Sequence, residues 1–519
     1  MSVFAQQQRK WWALLGVSIA SFLGCVDFTI VNTALPALQA DLGASVESLQ
    51  WVINGFILAL SSTMVLVGRL ADLHGRRRVL NIGLTVFGLA SLGAGLATSI
   101  DALVAARVAQ GLACAVLYTA SGAIVSATFA SEEQGKAFGV LFGVNGVGLA
   151  VGPVLGGVIT SAFGWQWIFL VNVPFVLLSL AIIALAADES RAEQDGARLD
   201  WAGAVLLLVG LPNLVLVIVQ GGVWGWASAT TLGLIGLAAL AFIVFVAVEL
   251  RVRAPIVDLR LFANRRFVAA VTASFGLALF YCVAFFVMPL YLSLIRGESV
   301  QASGLLLLPT TLGVALLSPV VGRLVDRKGP ALLIQAGLLF FTLSALLQAG
   351  FAEGTSLPYL LGAFAVMGLG WACILGPSTV LGISSVPQQV GSVAMGSLMT
   401  LHNVGGGLGL AVGVGLYRAF AAYALAGSTG VAADTDWLAR AAAAPEQGVA
   451  LLGAHLAQGP EVLQGWVHGA FLQGYQAVML FLAASVLLVW ASVALLLRAQ
   501  VAAPAEAAAD EQEPSHGKA

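Results

Sequence analysis

Asp27 is an acidic residue inside a long apolar stretch of the 519-residue chain. An ionisable side chain in such a stretch is costly and is therefore a candidate functional group. Because burial opposes the charged form of a carboxylic acid, Asp27 can take up and release a proton. Its carboxylate can also attract a lipophilic cation. The proton and the cation would then compete for the same carboxylate, so that only one of them is bound at a time.

Arg107 is the predicted partner of Asp27. If the first apolar helix runs outward to about Ala37, Asp27 lies ten residues before its outer end. The fourth helix then runs inward, and Arg107 lies about five residues after its outer start. At about 1.5 Å per residue the depths differ by about 7 Å, which an arginine side chain spans between neighbouring helices. Separation of the pair would change the proton affinity of Asp27, whereas a permanent pair would be purely structural.

Four further polar residues lie in predicted membrane helices. The imidazole of His402 titrates near neutral pH in water, so it is a third candidate for proton coupling or substrate contact. Amide side chains in membrane helices more often hydrogen-bond neighbouring helices than ligands. We expect this of Asn32, Gln110 and Asn145.

One short sequence occurs twice, as GRLADLHGRRRVL at Gly68–Leu80 and as GRLVDRKGP at Gly322–Pro330. Both copies read G-R-L-x-D-x-x-G, which predicts two homologous halves of six helices each. Duplicated halves around a site near the middle of the membrane are typical of secondary transporters.

The residue types in the first copy suggest a charged gate. Gly68 and Gly75 permit close helix approach and a tight turn. Asp72 can pair with Arg76 or face the positive N-terminus of a neighbouring helix. Such a contact would hold the two halves together on the cytoplasmic side and release when they rock apart. The alternative is that the arginines of Arg76–Arg78 only set the membrane topology.

A glycine-rich string, GLAVGPVLGG, covers Gly148–Gly157. The glycines at Gly148, Gly152 and Gly156 share one helix face and allow the backbone of a neighbouring helix to approach closely. Pro153 removes a backbone hydrogen bond and favours a kink. Together with Gly157, the string predicts a closely packed helix that serves as a hinge or as a seal against leakage.

The composition of the chain indicates whether these residues lie in a soluble or a membrane protein. Only 9% of the residues are charged and 60% are hydrophobic, whereas soluble domains carry roughly 25% charged residues. This excludes a soluble enzyme, and the formal net charge of −2 excludes a nucleic-acid-binding face. The four cysteines are far apart and predict neither a disulfide framework nor a metal site. The sequence therefore predicts an all-α integral membrane protein.

A hydropathy window of about 20 residues predicts fourteen membrane spans. They are residues 12–37, 50–69, 79–98, 102–128, 137–162, 167–187, 201–220, 228–250, 267–293, 303–322, 331–350, 357–380, 393–423 and 472–497.

The distribution of lysine and arginine sets the predicted orientation. With both termini inside, nineteen of the 23 Lys and Arg residues are cytoplasmic and three are outside, a strong positive-inside signal. The long connection at residues 424–471 then faces outward, with a short amphipathic helix expected around Pro445–His455.

The repeat and the spans together divide the chain into five parts. They are a cytoplasmic N-terminus (1–11), a six-helix half (12–187), an inserted segment with two helices (188–266), a second six-helix half containing the extracytoplasmic loop (267–497) and a disordered cytoplasmic tail (498–519).

Several of these strings resemble a known family. Gly68–Leu80 resembles the signature loop of the major facilitator superfamily, and RVAQG at Arg107–Gly111 is similar to its R-x-x-Q-G motif. DFTIVNTALP at Asp27–Pro36 and the Gly148–Gly157 string resemble motifs of its fourteen-span drug:proton antiporters. The resemblance implies the major facilitator fold, the inner cell membrane and export of drugs in exchange for protons. Gln166 and His402–Asn403 depart from the residues that are common in such relatives.

Absent motifs narrow the function further. No G-x-x-x-x-G-K-[ST], H-E-x-x-H or G-x-S-x-G string occurs, so an ATPase, a zinc protease or a serine hydrolase is not predicted. We expect no cofactor and no metal. The predicted partners are protons, a lipophilic, cationic or drug-like small molecule and the lipid bilayer. A gradient-driven uptake carrier or uniporter for a small metabolite is the alternative, and a periplasmic adaptor is left open.

Overall fold

The computed structural model describes residues 6–44, 46–191, 199–225, 227–252, 255–257, 259–443 and 445–498. Within these ranges the chain is helical and contains no strand. The predicted disordered tail lies outside the described residues, except for Arg498, as do parts of the predicted N-terminus and of the inserted segment.

The α-helices, numbered along the chain, are α1 Gln6–Leu42, α2 Val46–His74, α3 Arg76–Gly95, α4 Ile100–Thr128, α5 Gln134–Phe163, α6 Trp167–Leu170, α7 Asn172–Ala186, α8 Trp201–Trp224, α9 Ala229–Glu249, α10 Arg265–Leu290, α11 Val300–Lys328, α12 Pro330–Ala349, α13 Leu357–Ser384, α14 Gly391–Thr429, α15 Asp436–Ala443, α16 Pro445–Gly453 and α17 Pro460–Arg498.

The predicted number of spans is confirmed. Fourteen helical segments of the described chain are long and apolar enough to cross a membrane, with α6 and α7 forming one of them. The short helices α15 and α16 are not among these segments. The protein is a multi-pass, all-α membrane protein.

The predicted boundaries of the last long connection differ from the structure. Helix α14 continues to Thr429 and α17 already begins at Pro460, so the connection is residues 430–459 rather than 424–471. Hydropathy windows detect the apolar middle of a helix, whereas backbone hydrogen bonds continue into its more polar ends. Helix α16 lies where the amphipathic helix was expected, and α15 was not predicted.

The two halves predicted from the repeated string are visible in the packing. In the first half α1 packs on α4, α5 and α7, and in the second half α10 packs on α13, α14 and α17. Likewise α4 packs on α2 and α3, just as α13 packs on α11 and α12. The same positions pack in both halves, which confirms two six-helix bundles of one design.

The halves meet along two equivalent seams, α2 against α14 and α5 against α11. The inserted helices α8 and α9 pack on each other, and α8 also packs on α2 and α14. An apolar cluster that includes Val65, Leu207, Phe245 and Val393 joins these helices. The inserted pair therefore covers the α2–α14 seam.

We call the end of the bundle where α2 meets α3 and α11 meets α12 the basic end. It carries the Arg76–Arg78 cluster together with Arg327 and Lys328.

Candidate functional site

A buried ion pair links two helices of the first half. Asp27 on α1 is 0% exposed and Arg107 on α4 is 2% exposed. The Nη1 atom of Arg107 donates a hydrogen bond to Oδ2 of Asp27. The structure therefore brings together the two charges that the helix depths had placed near each other.

Three uncharged side chains complete a cluster around Asp27. Gln110 Nε2 donates to Asp27 Oδ1 at 3.2 Å and to Ser91 Oγ at 2.8 Å. Asn172 Nδ2 donates to the same two oxygens at 3.1 and 3.4 Å. The cluster thus draws on α1, α3, α4 and α7. We expected Gln110 to bond between helices, but Ser91 and Asn172 were missed, although Asn172 is an isolated amide in an apolar run.

Arg107 has partners besides Asp27. Its Nε donates to the carbonyl oxygen of Val52 at 3.1 Å, and its Nη1 donates to Gln110 Oε1 at 2.9 Å. The guanidinium carbon lies 4.2 Å from the ring centroid of Phe56, a cation–π contact. These contacts would hold the cation in place if Asp27 became neutral, so the pair can lose one charge without leaving the other unsolvated.

The predicted gate residues meet the second half at the basic end. Asp72 is buried and accepts hydrogen bonds from Arg76 Nε at 3.1 Å and Nη2 at 2.9 Å. It also accepts from the backbone N–H groups of Ser392 at 3.2 Å and Val393 at 3.0 Å, in the first turn of α14. Both contacts considered from the sequence therefore occur together, because a carboxylate satisfies a guanidinium and a helix N-terminus at once.

The two glycines of this string have separate geometric roles. A Cβ at Gly68 would lie 2.4 Å from the carbonyl oxygen of Ser392, so only glycine lets α2 approach α14 this closely. Gly75 has φ of +101°, a conformation that L side chains rarely adopt, at the turn between α2 and α3.

A second gate contact lies at the equivalent place in the other seam. Asp326, in the second copy of the repeated string, accepts hydrogen bonds from the backbone N–H groups of Gly135 at 2.7 Å and Lys136 at 2.8 Å. These groups belong to the first turn of α5. The residue equivalent to Arg76 is Pro330, so this contact has no guanidinium from that position. Asp326 was not singled out from the sequence, although the repeat marked its position.

The Gly148–Gly157 string packs against α1. A Cβ at Gly152 would meet Thr29, and one at Gly156 would lie 2.3 Å from Thr33 Oγ1 and 2.5 Å from the carbonyl oxygen of Ile30. Helix α5 continues through Pro153 as one element. Gly157 points away, with nothing within 4 Å of its Cβ position. The glycine face is therefore a packing surface for the helix that carries Asp27.

His402 lies in the other half and, among the described hydrogen bonds and ion pairs, has none with the Asp27 cluster. Its Nδ1 is 3.0 Å from both the carbonyl oxygen and the Oγ of Ser274. Its Nε2 is 3.4 Å from the hydroxyl of Tyr281, so both ring nitrogens have a partner in the second half. The ring of Tyr281 stacks on Trp371 with centroids 4.5 Å apart, and the Nε1 donor of Trp371 is buried without a partner among the described atoms.

The other two polar candidates differ in environment. Asn32 is exposed on the surface of α1. Asn145 on α5 is buried, and its Oδ1 has no hydrogen-bond partner in the described part of the chain. Neither residue joins the Asp27 cluster.

The chain matches a family model described as Major Facilitator Superfamily over residues 17–410. It is 34% identical over 407 residues to the multidrug resistance protein Stp of Mycobacterium tuberculosis, covering 77% of this chain and 74% of Stp. It is 33% identical over 409 residues to the tetracenomycin C resistance and export protein of Streptomyces glaucescens, covering 78% of this chain and 75% of that protein.

A solved structure resembles the fold. The human organic anion transporter MFSD10 (TETRAN) superposes with a TM-score of 0.63 over 93% of this chain and 99% of its own, at 17% sequence identity. At this identity the likeness concerns the architecture alone.

Proposed function

The chain belongs to the major facilitator superfamily, and we propose that it is a proton-coupled antiporter that exports lipophilic, cationic or drug-like small molecules by alternating access. The protein is a transporter and not an enzyme. The observation that carries the proton-coupled part is the buried cluster of Asp27, Arg107, Gln110, Asn172 and Ser91. The names of the relatives, which include multidrug resistance and drug export, support the proposed cargo.

The cluster supplies a chemical basis for exchange. When Asp27 accepts a proton, its charge-assisted bond to Arg107 weakens, and the guanidinium keeps the carbonyl of Val52 and the amide of Gln110 as partners. When the proton leaves, the ion pair forms again. Each cycle thus moves one proton on and off a single carboxylate, and the packing of α1 on α5 can transmit the change to the seam between the halves.

The gate contacts give the proposed cycle its two end states. Asp72 and Asp326 each join one half to a helix N-terminus of the other at the basic end, so this end is closed in the structure. Rocking of the halves would break both contacts and open the basic end. The two contacts differ in strength, because at the Asp72 contact Arg76 also donates across the seam to the carbonyl oxygen of Gln388 and to Ser392 Oγ.

The second half offers an aromatic surface for cargo. Tyr281 and Trp371 stack face to face, Phe285 meets Trp371 edge to face, and Tyr281 also contacts His402. The Nε1 of Trp371 is buried without a described partner, so it would donate to an acceptor on the bound molecule only after the halves have moved. We therefore assign His402 to substrate contact, and Asp27 with Arg107 to proton coupling.

The orientation and the domain division are also proposals. The charge distribution places the basic end and both termini in the cytoplasm and the connection after α14 outside an inner cell membrane. Residues 12–187 and 267–497 would be the moving halves, and residues 188–266 the inserted segment. No feature of the described chain selects a periplasmic adaptor.

The test uses the purified full chain in liposomes with an imposed pH gradient and ethidium as the cargo. One proton exchanged per cargo supports about a tenfold concentration ratio per pH unit, since a pH unit is worth about 1.4 kcal/mol. We expect Asp27→Asn to abolish this accumulation, because asparagine resembles the protonated acid and cannot titrate. Asp101→Asn, an exposed position on the same helix as Arg107, is the control and should accumulate normally.

Two results would count against the proposal. If Asp27→Asn still concentrates ethidium, another group carries the proton, and His402 is the next residue to replace. If the wild-type protein moves cargo in the same direction as protons, the chain is an uptake carrier rather than an exporter.

A further inference from the structure

A groove opens on the outer surface of the bundle at the basic end, beside the start of α3. It has a volume of about 610 Å³. Its polar wall is formed by Arg77, Arg78, Asn81 and Glu189, and its apolar wall includes Ile82 and Val86. A groove that is cationic at the end of a membrane helix and apolar along its side has the chemistry of a lipid site.

The cationic wall contains an arginine whose charge is not paired within the described residues. Arg78 is exposed, and its guanidinium makes no hydrogen bond or ion pair within the described residues. Arg77 donates to the carbonyl oxygens of Ala187 and Ala184 at 3.1 Å each, which fixes its position without neutralising it. Glu189 is the one acid in the lining, so the groove keeps a net positive charge.

The carboxylate of Glu189 already accepts hydrogen bonds from the protein backbone. Its two oxygens accept the backbone N–H groups of Arg77 at 3.1 Å and Arg78 at 3.0 Å, and so cap the first turn of α3. The N-terminus of α3 is therefore satisfied by the protein, and any ligand charge must be met by the guanidinium groups. The side chain of Asn81 adds an uncharged polar group to this wall.

The apolar wall continues along the same helix face. Ile82, Val86 and Leu89 follow one another by four and three residues, and all three are exposed. Side chains at this spacing form a stripe along a helix. The stripe starts next to the arginines and runs toward the membrane interior, as the acyl chains of a lipid do below its headgroup.

We propose that this groove binds one anionic glycerophospholipid of the leaflet at the basic end. Its phosphate lies between Arg78 and Arg77, its headgroup lies beside Asn81, and an acyl chain follows Ile82 and Val86. The charge selects an anionic over a zwitterionic headgroup, and the apolar stripe selects a lipid over a free phosphate.

The second half provides an internal comparison. At the start of α12 the equivalents of Arg76, Arg77 and Arg78 are Pro330, Ala331 and Leu332. This surface has the same helix geometry but no cation at those positions. The proposal therefore predicts one strong lipid site for each chain and not a symmetric pair.

Native mass spectrometry of the full chain in detergent tests the site, with phosphatidylglycerol, phosphatidylcholine and phosphatidylethanolamine of identical acyl chains as probes. We expect one tightly bound phosphatidylglycerol and weaker binding of the two zwitterionic lipids. Arg78→Gln should weaken phosphatidylglycerol binding by about fivefold, the effect of one cation near an anionic headgroup. Arg327→Gln, an exposed arginine at the same end of the other half, is the matched control and should bind as the wild type does.

Three outcomes would overturn the proposal. Equal binding of the zwitterionic lipids would show that the charge does not select the ligand. An equal effect of Arg78→Gln and Arg327→Gln would show general attraction to the basic end. Displacement of phosphatidylglycerol by millimolar glycerol 3-phosphate would show a phosphate site without a role for the apolar stripe. Because Arg78 has no described side-chain partner, Arg78→Gln should keep the wild-type melting temperature, which is measured alongside.

Discussion

Asp72→Asn and Asp326→Asn remove the same charge from two equivalent gate contacts, and we expect unequal effects. Each carboxylate accepts two backbone N–H groups at the start of a helix in the opposite half. Only Asp72 also pairs with a buried arginine, Arg76. The two variants therefore separate the contribution of the helix terminus from that of the ion pair.

The structure sets the size of the difference. Loss of a charge at a helix N-terminus costs about 0.3–2 kcal/mol, which is all that Asp326→Asn should lose. Asp72→Asn should lose this and also weaken the hydrogen bonds that Arg76, positioned by Asp72, donates across the seam to the carbonyl oxygen of Gln388 and to Ser392 Oγ, each worth about 1.5–3 kcal/mol. A change of about 1.4 kcal/mol alters an equilibrium ratio tenfold. The ratio of closed to open basic ends should therefore fall about fivefold in Asp326→Asn and about a hundredfold or more in Asp72→Asn.

Spin labels on His74→Cys and Arg327→Cys, in a background without the native cysteines, report the separation of α2 and α11 at the basic end. Double electron–electron resonance then gives the open fraction for each variant. Cargo affinity in detergent should barely change, since neither residue belongs to the proposed cargo surface, whereas turnover should slow. Equal shifts in the two variants would refute the role of the Asp72–Arg76 pair. A large loss of affinity with normal turnover would place Asp72 in the binding site instead.

Two further predictions concern topology and packing. Gln458→Cys, exposed in the connection after α14, should react with an impermeant thiol reagent on intact cells, and labelling only after permeabilisation would contradict both-ends-inside topology. Gly156→Ala should lower the thermal stability in detergent by about 1–3 kcal/mol, because its Cβ would meet the backbone of α1, while Gly157→Ala should not. Equal stabilities of these two variants would contradict the close α1–α5 packing.

The fold and part of the site were predictable because they depend on local patterns. Apolar runs long enough to span a bilayer indicated fourteen helices, and the repeated string indicated two halves. The depths of Asp27 and Arg107 followed from the rise of a helix, so their meeting could be anticipated. The Gly148, Gly152 and Gly156 spacing indicated a close neighbour but not which helix it is.

The remaining contacts depend on helices that are distant in the sequence. Ser91 and Asn172 join Asp27 only because α3 and α7 pack beside α1, and no local pattern marks a serine or an asparagine for this role. Asp326 reaches the start of α5 across 190 residues. His402 looked equivalent to Asp27 as an ionisable group in a span, yet it packs in the other half against Ser274 and Tyr281.

The amino-acid sequence by itself determined that this chain spans a membrane fourteen times in two related halves, because hydropathy, charge asymmetry and an internal repeat are properties of consecutive residues. The tertiary structure alone decided which polar groups share a site and which surfaces close the basic end. The physical reason is that a buried charge is stabilised by whatever helices surround it. That neighbourhood is set by packing between helices, which the order of residues within one helix does not reveal.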